Sequence, residues 1–166
     1  ITQAIGKFGR HTFFKEFCNE GYKYIQYADK YYSEWLCVPR SIKTTSVKPS
    51  GTVSLLCGAT PGIHYAHSEF YIRRVTLQKH SPLLKAAKDA GYRVETSVYS
   101  PETSVVVEFP VKEHFYNKGK NEVTIFEQFM NAADMQHWWA DNQVSITVTF
   151  SKEERSSILP CLQYFD

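Results

Sequence analysis

The sequence predicts a mixed α/β fold, and three observations lead to that prediction. The first segment, which runs to about Leu36, spaces many of its aromatic residues three and four positions apart, as one face of a helix requires. Further along, stretches rich in β-branched residues alternate with stretches that open on helix-capping residues. Gly and Pro mark several of the boundaries between them. Strands and helices that alternate along one chain are typical of α/β architecture.

Length and composition describe a globular chain. Its 166 residues are 43% hydrophobic and 22% charged, which fits a single domain with a buried core and excludes disorder. A formal net charge of +2 is too small to indicate a nucleic-acid duplex as partner. The sequence shows no signal peptide and no apolar run long enough to cross a bilayer. We therefore expect a cytoplasmic protein that contacts no membrane.

The cysteines and histidines predict no metal site. The chain has four cysteines, which are Cys18, Cys37, Cys57 and Cys161. They form no CxxC pair, and no cluster with histidine has zinc-ligand spacing. We interpret them as reduced, mostly buried thiols. His64 and His67 form an H-x-x-H pair without a third ligand in the sequence.

Residues 1–40 are predicted to be a helical lead-in, and residues 41–166 to carry the rest of a single segment. Gly21 is expected to interrupt the first helix, and Pro39 to prevent its continuation. The aromatic residues of this helix are not interleaved with arginine. The helix therefore reads as a core or interface element rather than a face that stacks nucleic-acid bases.

Strand and helix signals follow one another beyond the lead-in. Strands are predicted at residues 42–48, 70–77, 93–98, 104–109 and 144–150, the last being the clearest. The third and fourth of these are expected to pair antiparallel. Helix starts are predicted at Ser81-Pro82 with Gly91 as terminator, at Thr124 with Glu127 in a capping box, and at Ser151 with Glu154 in a second one.

The most informative stretch is residues 48–56, with the sequence KPSGTVSLL. It reads as the end of a strand, a Gly-containing turn and the start of a short helix, which directs free backbone N–H groups at one point. Gly51 would remove a side chain where a ligand approaches, and Lys48 would add positive charge. A phosphate fits such a turn, but an ordinary strand-to-helix connection has the same sequence pattern. The pattern alone does not separate a phosphate site from an ordinary connection. The spacing is not that of a Walker A loop.

Three blocks of sequence resemble one enzyme family. Residues 48–64, KPSGTVSLLCGATPGIH, resemble a block of the adenosylcobalamin-dependent (class II) ribonucleotide reductases. Residues 70–75, FYIRRV, are similar to the monomeric ribonucleoside-triphosphate reductase branch of that family. Residues 139–150 are similar to a later family segment. The blocks follow the order of the family, and the resemblance covers most of the chain from about Ser41 onward.

The resemblance implies a fold, a reaction and a set of site residues. It implies an incomplete half-barrel, the C-terminal part of a ten-stranded α/β barrel that converts ribonucleotides to deoxyribonucleotides by thiyl-radical chemistry with adenosylcobalamin. It assigns the substrate phosphates to Ser50, Gly51, Thr52, Val53 and Ser54, mostly through backbone N–H groups. It places four residues close to the substrate, namely Pro49, Gly62, Ile63 and His64.

The sequence also departs from the family pattern. It lacks the N-x-C-x-E motif of the radical cysteine, since Cys18-Asn19-Glu20 has those letters in another order. No catalytic residue is therefore assigned, and we expect the chain to be inactive without the remainder of the reductase, in the same or a companion chain. The start at Ile1 and the abrupt end suggest a piece of a longer polypeptide. The alternative is a non-catalytic nucleotide- or phosphate-binding module, or a structural subunit of a split reductase.

Overall fold

The structure is a computed structural model that describes residues 1–49, 51, 53–56, 58–114 and 116–165, with Leu56 described by its backbone alone. The chain divides into two compact units, which are considered separately. The first unit comprises Ile1–His67 with His114–Asp166, and the second comprises Ser68–Glu113. Helices and strands follow one another as the α/β prediction requires.

The lead-in is helical as predicted, but it consists of three pieces. They are helix α1 (Thr2–Phe8), a π-helical segment (Thr12–Asn19) and helix α2 (Glu20–Leu36). The prediction that Gly21 interrupts the helix is wrong, because Gly21 lies inside α2. The break falls instead at Gly9, whose φ of +82° lies in the left-handed region that favours glycine. Cys37, with φ 52°, ends α2 in the same region.

Two of the later helices begin where the capping residues predict. The later elements are α3 (Val53–Leu56), β1 (Phe70–Gln78), α4 (Pro82–Asp89), β2 (Arg93–Thr96), β3 (Ser104–Lys112), α5 (Ile125–Trp138), a 3₁₀ turn (Glu153–Ser157) and α6 (Ile158–Tyr164). The Ser81 side chain accepts a hydrogen bond from a backbone N–H of the first turn of α4, and Thr124 accepts one from Glu127 N. Ser151 N donates to the Glu154 carboxylate at 3.1 Å. The predicted helix starts at Ser81-Pro82 and Thr124 are confirmed. Ser151 and Glu154 precede a 3₁₀ turn instead, and α6 begins only at Ile158.

The second unit is an antiparallel sheet covered on one face by α4. The strand order is β1-β3-β2, and the predicted antiparallel pairing of the third and fourth strands is confirmed. Residues of α4 pack on this face against alternate residues of the strands, because successive side chains point to opposite faces. The core consists of Leu84, Ala87, Val105 and Val107, with Leu77, Val94 and Phe109 against it.

The other face of this sheet carries a charge network. Arg74 lies 2.5 Å from Glu95 and 3.5 Å from Glu108, and Arg93 lies 2.6 Å from Glu95. Arg74 is therefore a structural ion-pair partner. Arg73 points to the opposite side of β1 and donates to the Tyr71 hydroxyl at 2.5 Å.

The predicted strand at residues 42–48 is wrong. Its residues pair with no described strand, and several of their backbone groups bond to side chains instead. Thr44 N donates to the Asp141 carboxylate at 2.8 Å. Ser46 O accepts from the Trp139 indole N–H at 3.2 Å.

The predicted strand at residues 144–150 is wrong for the same reason. Three of its backbone N–H groups donate to side chains at 2.9–3.0 Å, namely Val144 to Gln136 Oε1, Thr147 to His64 Nε2 and Thr149 to Gln128 Oε1. The Gln128 amide also donates to Thr149 O at 2.6 Å and so bonds this residue as a neighbouring strand would. The β-branched composition of the segment gave no sign of this pairing.

The core of the first unit forms between the π-helical segment, α5 and the loop after α3. Its buried residues are Phe14, Cys18, Ile63 and Met135. Of the three described cysteines, Cys18 and Cys161 are buried, but Cys37 is exposed. Burial raises the pKa of the Cys18 thiol to about 11, which keeps it protonated at neutral pH. Cys57 lies outside the described residues.

Candidate functional site

Two of the predicted site segments lie against each other. Gly62 has a φ of +53°, and a Cβ placed on it would meet Lys48 O at 3.1 Å and Pro49 Cα at 3.2 Å. Only glycine suits this position, because the backbone is left-handed and another stretch of backbone lies next to it. The contact brings together Pro49 and Gly62, two of the residues that the resemblance places near the substrate.

The turn after Pro49 is open at Gly51. A Cβ added to Gly51 would meet no described atom within 4 Å, and its backbone is not left-handed. Val53 and Ser54 begin the short helix α3, which confirms the predicted helix over its described part. Ser50 and Thr52, the other two predicted phosphate ligands, lie outside the described residues. Residues 49–54 are called the candidate phosphate loop below.

The loop that carries Gly62 is tied to α1. The Thr2 hydroxyl lies 3.4 Å from the Thr60 hydroxyl and donates to His64 O at 3.2 Å. Thr2 and Thr60 are both buried. Because these bonds link residues about 60 positions apart, the loop has a fixed course beside Pro49.

Both ring nitrogens of His64 have partners. Nδ1 lies 2.9 Å from Pro61 O, and Nε2 lies 3.0 Å from Thr147 N. Since a backbone N–H donates and a carbonyl accepts, this arrangement assigns the neutral ring with its proton on Nδ1. His64 therefore joins the Gly62 loop to residues 144–150, and within the described chain it acts as a structural link.

A cavity of about 150 Å³ lies beside this link. Ile63 lines it but is only 4% exposed, and it belongs to the core of the first unit. The remaining lining residues are His64, Tyr65, Lys120, Gln128, Ile146, Thr147 and Thr149. Ile63 and His64 thus share one cavity, whereas Gly51, Val53 and Ser54 do not line it.

Asp141 holds the segment that leads into the candidate phosphate loop. Its Oδ1 accepts from the Tyr22 hydroxyl at 2.7 Å, and its Oδ2 accepts from the backbone N–H and the hydroxyl of Thr44 at 2.8 and 3.0 Å. The Asp141 N–H donates in turn to Thr45 O at 3.2 Å. These bonds fix the chain a few residues ahead of Pro49.

Replacement of Asp141 by asparagine is expected to lower the thermal midpoint and to flatten its pH dependence in acid. Hydrogen bonds from Thr44 and Tyr22 lower the pKa of Asp141 to about 2, below the ordinary value near 3.9. A lowered folded-state pKa gives stability that is complete above about pH 4 and is lost as the pH falls to about 2. Circular dichroism melts from pH 6 to pH 2 measure both effects.

The matched control for this change is Asp89→Asn, which removes an exposed carboxylate at the end of α4. The control should follow the wild-type pH dependence. Equal slopes for Asp141→Asn and the wild type between pH 4 and pH 2 would contradict the role of Asp141.

The sequence gave no sign of a polar network in the first unit. Asn131, which is 1% exposed, accepts from Arg10 Nη1 at 2.6 Å and donates to the Tyr65 hydroxyl at 2.8 Å. That hydroxyl donates to Glu127 Oε1 at 2.7 Å, and Lys118 Nζ lies 3.1 Å from Glu127 Oε2. The capping-box prediction had assigned the Glu127 side chain to the start of α5. Its carboxylate instead joins the Gly62 loop to that helix through Tyr65.

In this network the Tyr65 phenol is neutral and the Glu127 carboxylate is ionised. Burial and the hydrogen bond to Glu127 raise the pKa of Tyr65 to about 12, so the phenol stays neutral and donates. Burial alone would raise the pKa of Glu127, but hydrogen bonds from Tyr65 and Lys118 outweigh it and the pKa is lowered. The carboxylate is therefore the ionised acceptor of the pair.

The described part of the chain shows neither a helix suited to span a membrane nor a cluster of metal ligands. None of its helices has the length and apolar character that a membrane span requires. Among the same residues, no three His, Cys, Asp or Glu side chains converge as metal ligands.

A solved structure shares this fold. The crystal structure of a B12-dependent (class II) ribonucleotide reductase matches 90% of the chain with a TM-score of 0.82 and 39% sequence identity. The match covers 22% of the chain of that reductase. The predicted α/β class, as part of a larger reductase fold, is thereby confirmed. A three-stranded sheet among the described residues agrees with a part of such a fold.

Known sequences lead to the same family, although no family model matches the chain. It is 47% identical over 166 residues to a probable adenosylcobalamin-dependent ribonucleoside-triphosphate reductase of Dictyostelium discoideum, and 46% identical to the corresponding reductase of Euglena gracilis. Each alignment covers 99% of this chain, but the chain spans only 22–23% of the length of these relatives. The chain is thus homologous to a segment of the adenosylcobalamin-dependent ribonucleoside-triphosphate reductases, and the predicted resemblance is confirmed.

Proposed function

We propose that this chain provides the substrate-phosphate site of an adenosylcobalamin-dependent ribonucleoside-triphosphate reductase, an enzyme of the cytoplasm that converts ribonucleotides to deoxyribonucleotides. The observation that carries the proposal is the open turn at Gly51, set between Pro49, which packs on Gly62, and the start of α3. It occurs in a chain that is 47% identical to a protein of that name.

The candidate phosphate loop suits an anion for physical reasons. The backbone N–H groups at the start of a helix point in one direction, and α3 (Val53–Leu56) begins directly after Gly51 and the turn. Gly51 carries no side chain, so phosphate oxygens can approach the backbone closely. The contacts of Lys48 and Pro49 with Gly62 set the direction from which the loop starts.

The role of the loop in the reaction is placement. Anchored phosphates fix the ribose relative to the radical cysteine, and that restriction removes much of the entropy cost of the reaction. Adenosylcobalamin, when bound to the complete enzyme, supplies the radical chemistry. The chain itself contributes backbone donors and the packing that holds them, and by this proposal it is inactive alone.

The cavity beside Ile63 is too small for the cofactor. The corrin ring system is larger than an ordinary drug-sized ligand, and pockets for such ligands measure roughly 300–1,000 Å³. The cavity beside Ile63 measures about 150 Å³. Cobalamin does not fit there, and we assign no residue of this chain to it.

The test uses an exchange reductase, in which this chain replaces the aligned region of the Euglena gracilis relative. We expect it to reduce CTP to dCTP with adenosylcobalamin and a dithiol reductant, whereas the isolated chain should not. CTP binding by the isolated chain, measured by calorimetry, would favour a self-sufficient nucleotide-binding module. An exchange reductase that folds but neither binds nor reduces CTP would contradict the proposal.

Gly51→Ala tests the loop itself. The new methyl group meets no described atom within 4 Å, so the fold should be unchanged, but it occupies the space where phosphate approaches. Hydrogen bonds to charged groups contribute about 1.5–3 kcal/mol each, so loss of one weakens CTP binding by roughly tenfold to a hundredfold. Calorimetric titration of the exchange reductase with CTP measures this.

The control is Gly21→Ala within α2. Its Cβ would make only an ordinary contact, 3.5 Å from the Trp139 ring, and alanine favours the helix. Its affinity for CTP should equal that of the unmodified protein. Unchanged CTP affinity in Gly51→Ala would remove the candidate phosphate loop from the proposal.

A further inference from the structure

Helix α2 exposes a row of aromatic rings. Tyr24, Tyr27, Tyr31 and Trp35 lie three or four positions apart, and they are 69%, 63%, 41% and 74% exposed. The rings touch along the row, with Tyr27 and Tyr31 stacked at 6.3 Å and Tyr31 and Trp35 at 5.5 Å between centroids. These four residues are called the aromatic stripe.

The opposite face of α2 is polar, and it is the face that packs. Its contacts with the rest of the first unit include hydrogen bonds from Tyr22 to Asp141, from Gln26 to Thr44 and from Ser41 to Asp29. Ser33, on the same face, is 8% exposed. A helix on the surface of a free-standing domain turns its apolar face inward. The orientation of α2 is the reverse, so its apolar face is free for another surface to cover.

The charges beside the stripe indicate an apolar partner. Lys23 lies 2.7 Å from Glu20, and Arg40 lies 3.7 Å from Glu34. Both of these cations are paired within the chain. Lys30, the other basic residue of α2, is exposed but does not belong to the stripe. A polyanion such as nucleic acid would require unpaired basic residues among the rings. Aromatic residues also dominate the buried centres of protein interfaces.

The length of the relatives indicates where a partner for the stripe is to be sought. This chain aligns along 99% of its length but spans only 22–23% of two relatives, so most of their polypeptide lies outside it. We propose that the aromatic stripe is the surface on which an apolar face of that remaining reductase polypeptide packs. The identity of this partner rests on the proposed function. The inference that another surface covers the stripe rests only on the orientation of α2.

Hydroxyl-radical footprinting tests the inference without any substitution. Tyr27 and Trp35 should be oxidised readily in the isolated chain. In the exchange reductase their oxidation should fall towards that of Phe14, which is 2% exposed. Oxidation of both residues to the same extent in the two proteins would overturn the inference.

A substitution adds an independent measurement. Tyr27→Glu should leave the thermal midpoint of the isolated chain unchanged, because the side chain is 63% exposed there, and should lower that of the exchange reductase. The control is Lys30→Glu, an exposed position on α2 off the stripe, which should change neither midpoint. A fall in the midpoint of the isolated chain as well would show that the stripe already packs within the first unit and would overturn the inference.

The remaining outcomes separate this inference from the proposed function. A protected stripe in an exchange reductase that neither binds nor reduces CTP would support the interface and contradict the function. Turnover of CTP by an exchange reductase whose stripe is oxidised as readily as in the isolated chain would support the proposed function and overturn the inference about the interface. Self-association of the isolated chain that Tyr27→Glu abolishes, together with an open stripe in the exchange reductase, would assign the surface to a second copy and overturn the inference.

Discussion

Replacement of Asn131 by alanine is expected to destabilise the protein by about 2–4 kcal/mol. Asn131 is 1% exposed and bonds both to the Arg10 guanidinium and to the Tyr65 hydroxyl. Its truncation removes two hydrogen bonds, one of them to a charged group, and leaves buried polar atoms without their partner. The midpoint of urea unfolding, followed by circular dichroism, measures the loss.

Two further variants show which property of Asn131 matters. Asn131→Leu restores the volume without the hydrogen bonds, so it should remain far less stable than the wild type. Asn121→Ala, at an exposed position on the loop before α5, should stay within about 0.5 kcal/mol of the wild type. If Asn131→Leu were as stable as the wild type, packing and not the polar network would hold this part of the first unit.

The sequence predicts the parts of this fold that depend on local interactions. Ser81 and Thr124 cap the helices that they were expected to cap, because such bonds join residues two or three positions apart. The strand at residues 70–77 was found because it is rich in aromatic and β-branched residues. Its position in that sheet follows from pairing with β3.

The errors arise where distant side chains replace a local partner. Residues 42–48 and 144–150 have strand-like composition, but their N–H groups bond to Asp141, Gln128, Gln136 and His64. The bond from Thr44 to Asp141 joins residues 97 positions apart. Composition cannot reveal such a pair.

The aromatic stripe of α2 shows a different limit of prediction from sequence. Its periodicity correctly predicts a helix, but periodicity does not say which face of the helix is buried in this chain. In this chain, Tyr22 and Asp29 hold the packed face through hydrogen bonds, and the apolar face remains exposed. The sequence left a core helix and an interface helix open. The orientation in the structure favours the interface.

The candidate site was predictable in part. The block at residues 48–64 placed Pro49 and Gly62 in one region, and the structure brings their backbones into contact. The sequence assigned His64 to the neighbourhood of the substrate, but it could not show that both ring nitrogens are bonded. That requires Thr147, which lies 83 positions away.

Gly62→Ala is expected to affect stability and nucleotide binding together. Alanine in the left-handed region costs roughly 1–2 kcal/mol. Its Cβ would also lie 3.1 Å from Lys48 O and 3.2 Å from Pro49 Cα, so backbone must move on at least one side. That movement displaces the start of the candidate phosphate loop. We therefore expect a lower urea midpoint and, in the exchange reductase, at least as large a loss of CTP affinity as in Gly51→Ala.

Gly58→Ala separates the two causes. Gly58 also has a positive φ, +66°, but a Cβ on it would meet the His114 ring at 3.0 Å, and a side chain can turn away where backbone cannot. It shares the conformational cost of Gly62→Ala without displacing Pro49. A larger loss of stability and of CTP affinity in Gly62→Ala than in Gly58→Ala would attribute the difference to the contact with Lys48 and Pro49. Equal losses in the two variants would mean that the contact does not position the loop, and the phosphate site would then depend on residues 51–54 alone.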